Sequence, residues 1–316
     1  MKNKKFLAFI FIISSLTLVV NAQVTEAEKK IRAALNDSVD GWKMGGSIMT
    51  NLSQTSLTNW SAGGENSVAV SGLLSIYAKY KKGKGAWENY LDLAYGSMKQ
   101  ESFDNWRKSD DKIDFTSKFG RQAVNSWYYA VLVNFKSQID KGYNYPNDST
   151  RIAISKFLAP GYFLSSLGFD YKPNDKFSAY IAPITSKITV VNDDLLSAQG
   201  AFGVEPGEKV RAEFGGYARI FYKQDIMENI TLQSKLDLFS NYLDDPKPKK
   251  IDVNWEVLLS MKVNKYITTT IFTNLLYDFD TKIGKDENDN GIVEPDEMEA
   301  KVQFKEVLGV GFSYRF

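Results

Sequence analysis

The chain has 316 residues, with 39 Lys and Arg against 38 Asp and Glu, a formal net charge of +1. No basic surplus points to nucleic acid and no acidic tail points to disorder. Cysteine and histidine are both absent, which excludes a disulfide framework, a lipid-modified N-terminal Cys, a histidine general base and a histidine-ligated zinc.

The stretch MKNKKFLAFIFIISSLTLVVNAQ has a basic head (Lys2, Lys4, Lys5), an apolar run from Phe6 to Val20 and a small-residue site at Val20-Asn21-Ala22. It predicts a secretory signal peptide over residues 1–22, with the mature chain starting at Gln23. A membrane anchor is the competing reading, but the run falls short of the ~20 residues a spanning helix needs. Residues 23–43 are expected to form a periplasmic helix or tether. Thr25 and Glu28 make a capping box, and Ala27, Ile31, Ala34 and Leu35 share one helical face. Gly41, Gly45 and Gly46 then break the pattern.

From about Met44 the chain alternates with period two. In 67–80, Val68, Val70, Leu74, Ile76 and Tyr80 share a face. In 127–139, Trp127, Tyr129, Val131, Val133, Phe135 and Ile139 oppose Asn134, Lys136 and Gln138. In 210–222, Val210, Phe214, Ile220 and Tyr222 oppose Arg211, Glu213 and Arg219. In 251–263, Val253, Trp255, Val257 and Leu259 oppose Asp252, Asn254, Glu256 and Lys262. Twelve such segments are expected, at about 44–53, 66–80, 86–99, 111–122, 126–139, 157–172, 175–190, 208–224, 227–241, 249–263, 265–279 and 301–316. Runs of roughly ten or more residues suit tilted membrane strands, whereas globular strands average about 5–6. The connections alternate: short ones such as 81–85, 123–125 and 173–174, and long ones at 54–66, 101–111, 141–156, 191–209, 243–250 and 282–301.

Long outer loops and short periplasmic turns mark an outer-membrane barrel. The expected fold is therefore all-β: a transmembrane antiparallel up-and-down β-barrel of about twelve strands over residues 44–316, with a short N-terminal periplasmic helix. The expected location is the outer membrane of a Gram-negative bacterium. A soluble all-β sandwich is the competing reading, but it has no reason to keep that order of loops.

Aromatics make up 14% of the chain. Tyr80, Trp87, Trp127, Tyr171, Tyr222, Tyr266 and Phe316 fall at turn-side strand ends and predict a periplasmic aromatic girdle. Trp106, Tyr143, Tyr242, Tyr277 and Phe279 would serve the outer side. The last strand, GVGFSYRF, ends on Phe316 after alternating Val310, Phe312 and Tyr314, a pattern similar to the insertion signal of outer-membrane barrels.

Polar faces are expected to line the lumen. The inward charges would include Lys79, Glu88, Asp92, Asp114, Lys118, Lys136, Arg211, Glu213, Arg219, Lys235, Asp237, Asp252, Glu256, Lys262 and Arg315. Both signs occur, with no stripe of one sign. Two readings stand: a salt-bridged network filling a rigid barrel, or a narrow polar channel. Twelve strands lie between the filled eight-stranded barrels and the open porins.

In the first long loop, Gln54…Asn59-Trp60…Gly63-Gly64-Glu65-Asn66-Ser67 resembles the hallmark of an uncharacterised family of Gram-negative outer-membrane β-barrel proteins, a domain of unknown function. The resemblance extends over the mature chain and implies the barrel fold but no activity. Gly63 and Gly64 permit a close turn. Gln54, Asn59, Trp60, Glu65 and Asn66 would either build that turn or meet a ligand or partner.

The stretch DENDNGIVEPDE fits a twelve-residue calcium loop. Candidate ligands are Asp286, Asn288, Asn290, the Ile292 carbonyl, Glu294 and Glu297, with Gly291 at the turn position. Strands rather than helices flank it, so calcium would be a structural clip on an outer loop and the sole cofactor. The competing reading is an acidic solvated loop.

No catalytic residue is assigned, and the chain is not read as an enzyme: barrel hydrolases that work through histidine have no counterpart here. The expected role is an envelope scaffold, or an assembly or partner protein, with a salt-bridged lumen. The alternative is a narrow porin-like channel or transporter for small polar or lipidic solutes. Expected partners are outer-membrane lipid, the barrel assembly machinery and other envelope proteins, with no nucleic acid.

Overall fold

The computed structural model describes residues 40–56, 66–102, 105–147, 150–243, 250–264, 266–284 and 298–316. The expected signal peptide and the helix at 24–37 lie outside the described residues.

Sixteen strands follow in chain order: β1 (Gly41–Thr55), β2 (Ser67–Lys82), β3 (Gly85–Gln100), β4 (Arg107–Val124), β5 (Trp127–Ser137), β6 (Gly142–Asn147), β7 (Thr150–Ser155), β8 (Gly161–Asn174), β9 (Phe177–Val190), β10 (Val210–Met227), β11 (Ile230–Asn241), β12 (Asp252–Lys262), β13 (Ile267–Tyr277), β14 (Lys282–Gly284), β15 (Met298–Ala300) and β16 (Gln303–Arg315). Twelve of them close a barrel in the order β1-β16-β13-β12-β11-β10-β9-β8-β5-β4-β3-β2. All neighbours are antiparallel. These twelve fall on the twelve segments that alternation predicts. Two hairpins, β6–β7 and β14–β15, stand apart from the barrel. They occupy the long connections at 141–156 and 282–301, which read as plain loops in the sequence.

The alternation has a clear sense. On β5, Trp127, Tyr129, Val131 and Val133 are exposed, while Ala130 and Leu132 between them are 2% and 1% exposed. The same holds around the ring, where Met44, Val70, Phe119, Phe169, Ile181, Ile220, Trp255, Leu308 and Phe312 all face outward and are exposed. A soluble domain rarely exposes so large a contiguous apolar surface; in a bilayer that surface meets hydrocarbon. Closing the sheet pairs every barrel strand with a neighbour on both sides over most of its length, as lipid requires. Among the described residues no helix is long and apolar enough to cross a membrane; the crossing elements are the strands. An even-numbered antiparallel barrel with this exterior is an outer-membrane barrel of the Gram-negative type.

Aromatics cluster at the short-turn end. Trp42 lies 5.1 Å from Tyr80 and 5.6 Å from Trp87, Trp127 lies 4.9 Å from Tyr171, and Tyr266 stacks on Phe312 at 5.4 Å between ring centroids. Indole N–H groups on the outer face are satisfied: Trp87 Nε1, at the short-turn end, donates to Ser117 Oγ at 2.9 Å, and Trp255 Nε1, nearer the long-loop end of β12, donates to Ser234 Oγ at 3.0 Å. At the opposite end, Phe279 lies under the Lys250 ammonium, 4.0 Å from its ring centroid, and Tyr143 belongs to the β6–β7 hairpin.

The polar inner face is interrupted along one wall. Ala130, Leu132, Tyr180, Ala182, Tyr217 and Phe239 form a buried cluster on the inner side of β5, β9, β10 and β11, with Leu164 of β8 against it. Small barrels fill their interior with side chains, and here bulky apolar groups do so along one wall. A bulge also breaks the simple alternation of β9. Its Ile181 pairs with Phe169 but Ile184 with Leu167, so one extra residue sits near Pro183. Tyr180 and Ala182 face inward before it, and Thr185, Lys187 and Thr189 after it. Gly168 stands opposite the bulge, where a Cβ would collide with the Ile181 carbonyl. A bulge of this kind re-aims the side chains beyond it.

Candidate functional site

The lumen is crossed by ion pairs. Lys112 on β4 meets Glu256 on β12 at 3.0 Å. These strands take the tenth and fourth places in the ring of twelve, so the pair spans the barrel from one wall to the opposite one. Lys235 on β11 joins it, 2.9 Å from Glu256 and 3.4 Å from Asp114. Arg219 grips Asp237 with two nitrogens, at 2.6 and 3.1 Å, and Lys136 reaches the same carboxylate at 3.6 Å. Asn134 Nδ2 donates to Asp114 Oδ1 at 2.6 Å and to Thr116 Oγ1 at 2.8 Å. Towards the short-turn end, Lys118 pairs with Asp170 at 2.5 Å and with Glu88 at 3.7 Å, and Lys172 hydrogen-bonds Glu88. Towards the long-loop end, Lys187 pairs with Asp252 at 2.7 Å and Glu213 at 3.4 Å, and Arg211 with Asp280 at 2.6 Å.

This set balances. The cations are Lys112, Lys118, Lys136, Lys172, Lys187, Arg211, Arg219 and Lys235; the anions are Glu88, Asp114, Asp170, Glu213, Asp237, Asp252, Glu256 and Asp280. Eight face eight within these pairs, so both signs are interleaved through the septum; Asp92 on the inward register and Asp278 beside Asp252 lie outside that tally. Lys112–Glu256, Lys235–Asp114 and Lys136–Asp237, on strands four to six places apart, act as struts between walls, while Arg219–Asp237, Lys235–Glu256 and Lys187–Glu213 join neighbouring strands. Desolvating such charges is costly, and the geometry offsets that cost because every carboxylate has a cation and four of them, Glu88, Asp114, Asp237 and Asp252, accept a further hydrogen bond from Tyr90, Asn134, Tyr217 and the Phe279 N–H.

The opposite wall differs. Along the middle of β16, β1, β2 and β13 the inward positions are Gly45, Ser47, Met49, Asn51, Ser71, Leu73, Ser75, Phe272, Val307, Gly309 and Gly311 by register, with Lys43, Lys79 and Arg315 on the same parity at the short-turn end and Lys305 at the long-loop end. Most are small or uncharged. Leu73, Met49, Phe272 and Val307 are half-buried, in contrast to the buried residues of the septum side.

The β9–β10 loop folds over the long-loop mouth. Its five-residue helix α1 (Asp194–Ala198) is capped by Asp193, whose Oδ1 accepts from Leu195 N at 3.0 Å and Leu196 N at 3.1 Å. The Lys156 ammonium, 2.8 Å away, and the Leu196 N–H hold the Asp193 carboxyl below its ordinary pKa. Ala159, Val191, Leu196 and Val204 form a small core under the loop, and Arg211 Nη1 donates to the Gly203 carbonyl at 3.3 Å. Beside it, carboxylate oxygens of Asp252, Asp278 and Asp280 lie within 4.8 Å of one another. Lys187 and Arg211 already face two of these carboxylates.

The structure draws Glu88, Lys118, Lys136, Arg211, Glu213, Arg219, Asp252 and Glu256 into the septum. Asp92 stands opposite Asp114 and Lys262 opposite Thr268, both on the inward register; Arg315 stands opposite Ser47. Of the first-loop residues, Gln54 stands opposite Val68 at the end of β1, and Asn66 Nδ2 donates to Glu101 Oε2 at 2.9 Å. Asn59, Trp60, Gly63, Gly64 and Glu65 lie outside the described residues. So do all the proposed calcium ligands, Asp286, Asn288, Asn290, Ile292, Glu294 and Glu297; the β14–β15 ladder that flanks them in sequence sets Gly284 opposite Met298. Sequence reasoning missed Lys112, Asp170 and Lys172, although they share the inward parity of their strands. It missed Lys187 because the β9 bulge reverses parity.

Among solved structures the chain is similar to an outer membrane channel from Pseudomonas putida F1, at 10% identity and TM-score 0.40, covering 89% of this chain and 97% of that one. It is also similar to the translocator domain of the autotransporter NalP from Neisseria meningitidis, at 10% identity and TM-score 0.33, covering 96% and 100%. A third is the deltaS2 mutant of the TodX monoaromatic hydrocarbon channel, at 10% identity and TM-score 0.33, covering 90% and 92%. The likeness is one of fold alone. No curated protein matches the chain in sequence. Residues 52–143 match the family model described as "Protein of unknown function (DUF3078)".

Proposed function

We propose that the protein is a non-enzymatic envelope barrel closed to free diffusion of hydrated solutes, acting as a rigid scaffold or partner in the outer membrane. The observation that carries this reading is the Lys112–Glu256 pair, which joins opposite walls of the lumen. A general pore needs an unobstructed aqueous lumen, as in barrels of sixteen or more strands. Neither a histidine nor a cysteine is present to serve as base or nucleophile. The test is purification from membranes in mild detergent, followed by identification of co-purifying envelope proteins and bilayer recording of the same sample. The reading expects a stoichiometric partner and silent bilayers. A partner-free, steadily conducting barrel contradicts it.

A second reading has its own observation. The half-buried, small and apolar lining of the β16–β1–β2 wall leaves a side of the lumen that the septum does not fill with charge. That side suits passage of a small solute with a hydrocarbon part.

A further inference from the structure

The ladder that closes the barrel stops short. β1 and β16 pair from Ser47–Arg315 to Leu52–Val310, extended at the short-turn end by reciprocal Gly46–Phe316 backbone bonds at 3.0 and 3.1 Å. Beyond Leu52–Val310 both strands continue, but not against each other. β1 runs on to Thr55 paired with β2, and β16 reaches back to Gln303 paired with β13. Each is left with one bare edge, and among the described residues no strand covers either. Bare backbone edges in hydrocarbon are costly, so a gap here needs a reason.

The surroundings of the gap supply one. Its lipid side carries Phe304 and Leu308, 63% and 64% exposed, and between them the exposed Glu306, opposite Thr273 on the outward register. A carboxylate is out of place on a sealed hydrocarbon-facing wall and is tolerated near the interface. The lumen side carries the apolar rung Phe272–Val307 beside the gap and, three rungs inside the closed ladder, the apolar rung Met49–Leu73. At the last closed rungs the Asn51 amide leans across Gly309 and Gly311, where a Cβ would meet it, and its Oδ1 is buried without a hydrogen-bond partner. Overhead, Lys305 of β16 pairs with Asp110 of β4 at 2.6 Å. These strands are four places apart around the ring, so the pair bars the axial exit above this side of the lumen.

We propose that the upper β1–β16 seam is a lateral portal, through which a single-chain amphiphile moves between the lumen and the outer leaflet. The hydrocarbon chain lies along Met49, Leu73, Phe272 and Val307, and a hydrogen-bond donor on its polar head meets Asn51 Oδ1. The portal rests on the second reading above, passage of a solute with a hydrocarbon part.

The chain has no cysteine, so thiol chemistry is clean. The full-length barrel in proteoliposomes carries bimane at Val307→Cys, on the lumen side of the seam, or at Leu164→Cys, on the far wall. The probe is 5-doxyl stearate, a single-chain nitroxide, compared with the two-chain 5-doxyl phosphatidylcholine. The stearate is expected to quench Val307-bimane several-fold more than Leu164-bimane, and more than the phosphatidylcholine does. Continuing the register sets Gln54 opposite Leu308. A Gln54→Cys/Leu308→Cys disulfide, oxidised before labelling, is expected to bring quenching at Val307 down to the Leu164 level. A Thr50→Cys/Phe312→Cys disulfide, within the closed ladder, is expected to leave it unchanged. Quenching that survives the Gln54–Leu308 lock overturns the portal and leaves solute passage standing. Equal, weak quenching at both sites overturns portal and passage together. Equal quenching at Val307 by both lipids overturns the single-chain specificity.

Discussion

Lys112 and Glu256 meet at 3.0 Å across the full width of the barrel, and Lys235 shares the same carboxylate at 2.9 Å. Removing Glu256 leaves both lumen cations with Asp114 alone, at 3.7 and 3.4 Å. Losing one partner of a fully buried pair costs roughly 3–5 kcal/mol; with Lys112 29% exposed on its side chain, Glu256→Ala is expected to cost about 2 kcal/mol by the same principle. Thermal unfolding in detergent, followed by loss of heat-modifiable mobility, checks this. Replacing Lys112 and Lys235 by Met in the same background should recover part of the loss.

The buried apolar wall makes a separate prediction. Leu132 is 1% exposed and belongs to the cluster with Tyr180, Tyr217 and Phe239. Truncation leaves a cavity inside the barrel, because the strands on either side are fixed by their ladders. Leu132→Ala should cost about 2–5 kcal/mol, measured by the same unfolding assay. Val131→Ala, one residue away on the lipid-facing side, should cost far less.

Acid should loosen the loop over the mouth. The Lys156 ammonium and the Leu196 N–H hold the Asp193 carboxyl below its ordinary value. A depressed folded pKa contributes stability that is present above the unfolded value, about 3.9 for Asp, and is lost as pH falls through the folded one. The cap on α1 should therefore be intact at neutral pH and weaken below about pH 4. Asp193→Ala should mimic that state at neutral pH, at about 1 kcal/mol for a lost N-cap. Hydrogen exchange over residues 194–204 reads both.

The barrel was legible because period-two alternation over long runs leaves little else for the chain to be. Strand positions such as β5 and β12 followed from Trp127–Phe135 and Val253–Leu259. The contents of the lumen were less legible. Parity told which face Arg219 and Glu256 share, but not that Lys112 reaches Glu256, since contacts between strands six places apart depend on barrel width. Tyr217 and Phe239 were hidden by the expectation that polar faces line the lumen. The parity reversal at Pro183 arises from a bulge that only pairing with β8 and β10 reveals. The gap above Leu52–Val310 depends on where a ladder ends, which alternation does not encode.

Calcium in the 286–297 stretch remains a proposal resting on its side-chain pattern, between Gly284 and Met298 in sequence. Oxygen ligands at alternate positions suit calcium at roughly 10⁻⁴–10⁻³ M in outer loops. Millimolar calcium should raise both hydrogen-exchange protection over 285–297 and the unfolding temperature, and Glu297→Gln should abolish both effects. If titration changes neither in the native chain, the calcium reading falls.

The claim that ion pairs close the lumen is tested most directly by paired single-channel recordings of the native barrel and of an Asp114→Asn/Glu256→Gln variant in the same planar bilayer. Asp114 and Glu256 together hold Lys112 and Lys235 in place. The native barrel should be silent, and the variant should show small flickering currents as the lysines swing free. A native barrel that conducts steadily, at a level the variant does not change, would contradict a closed septum.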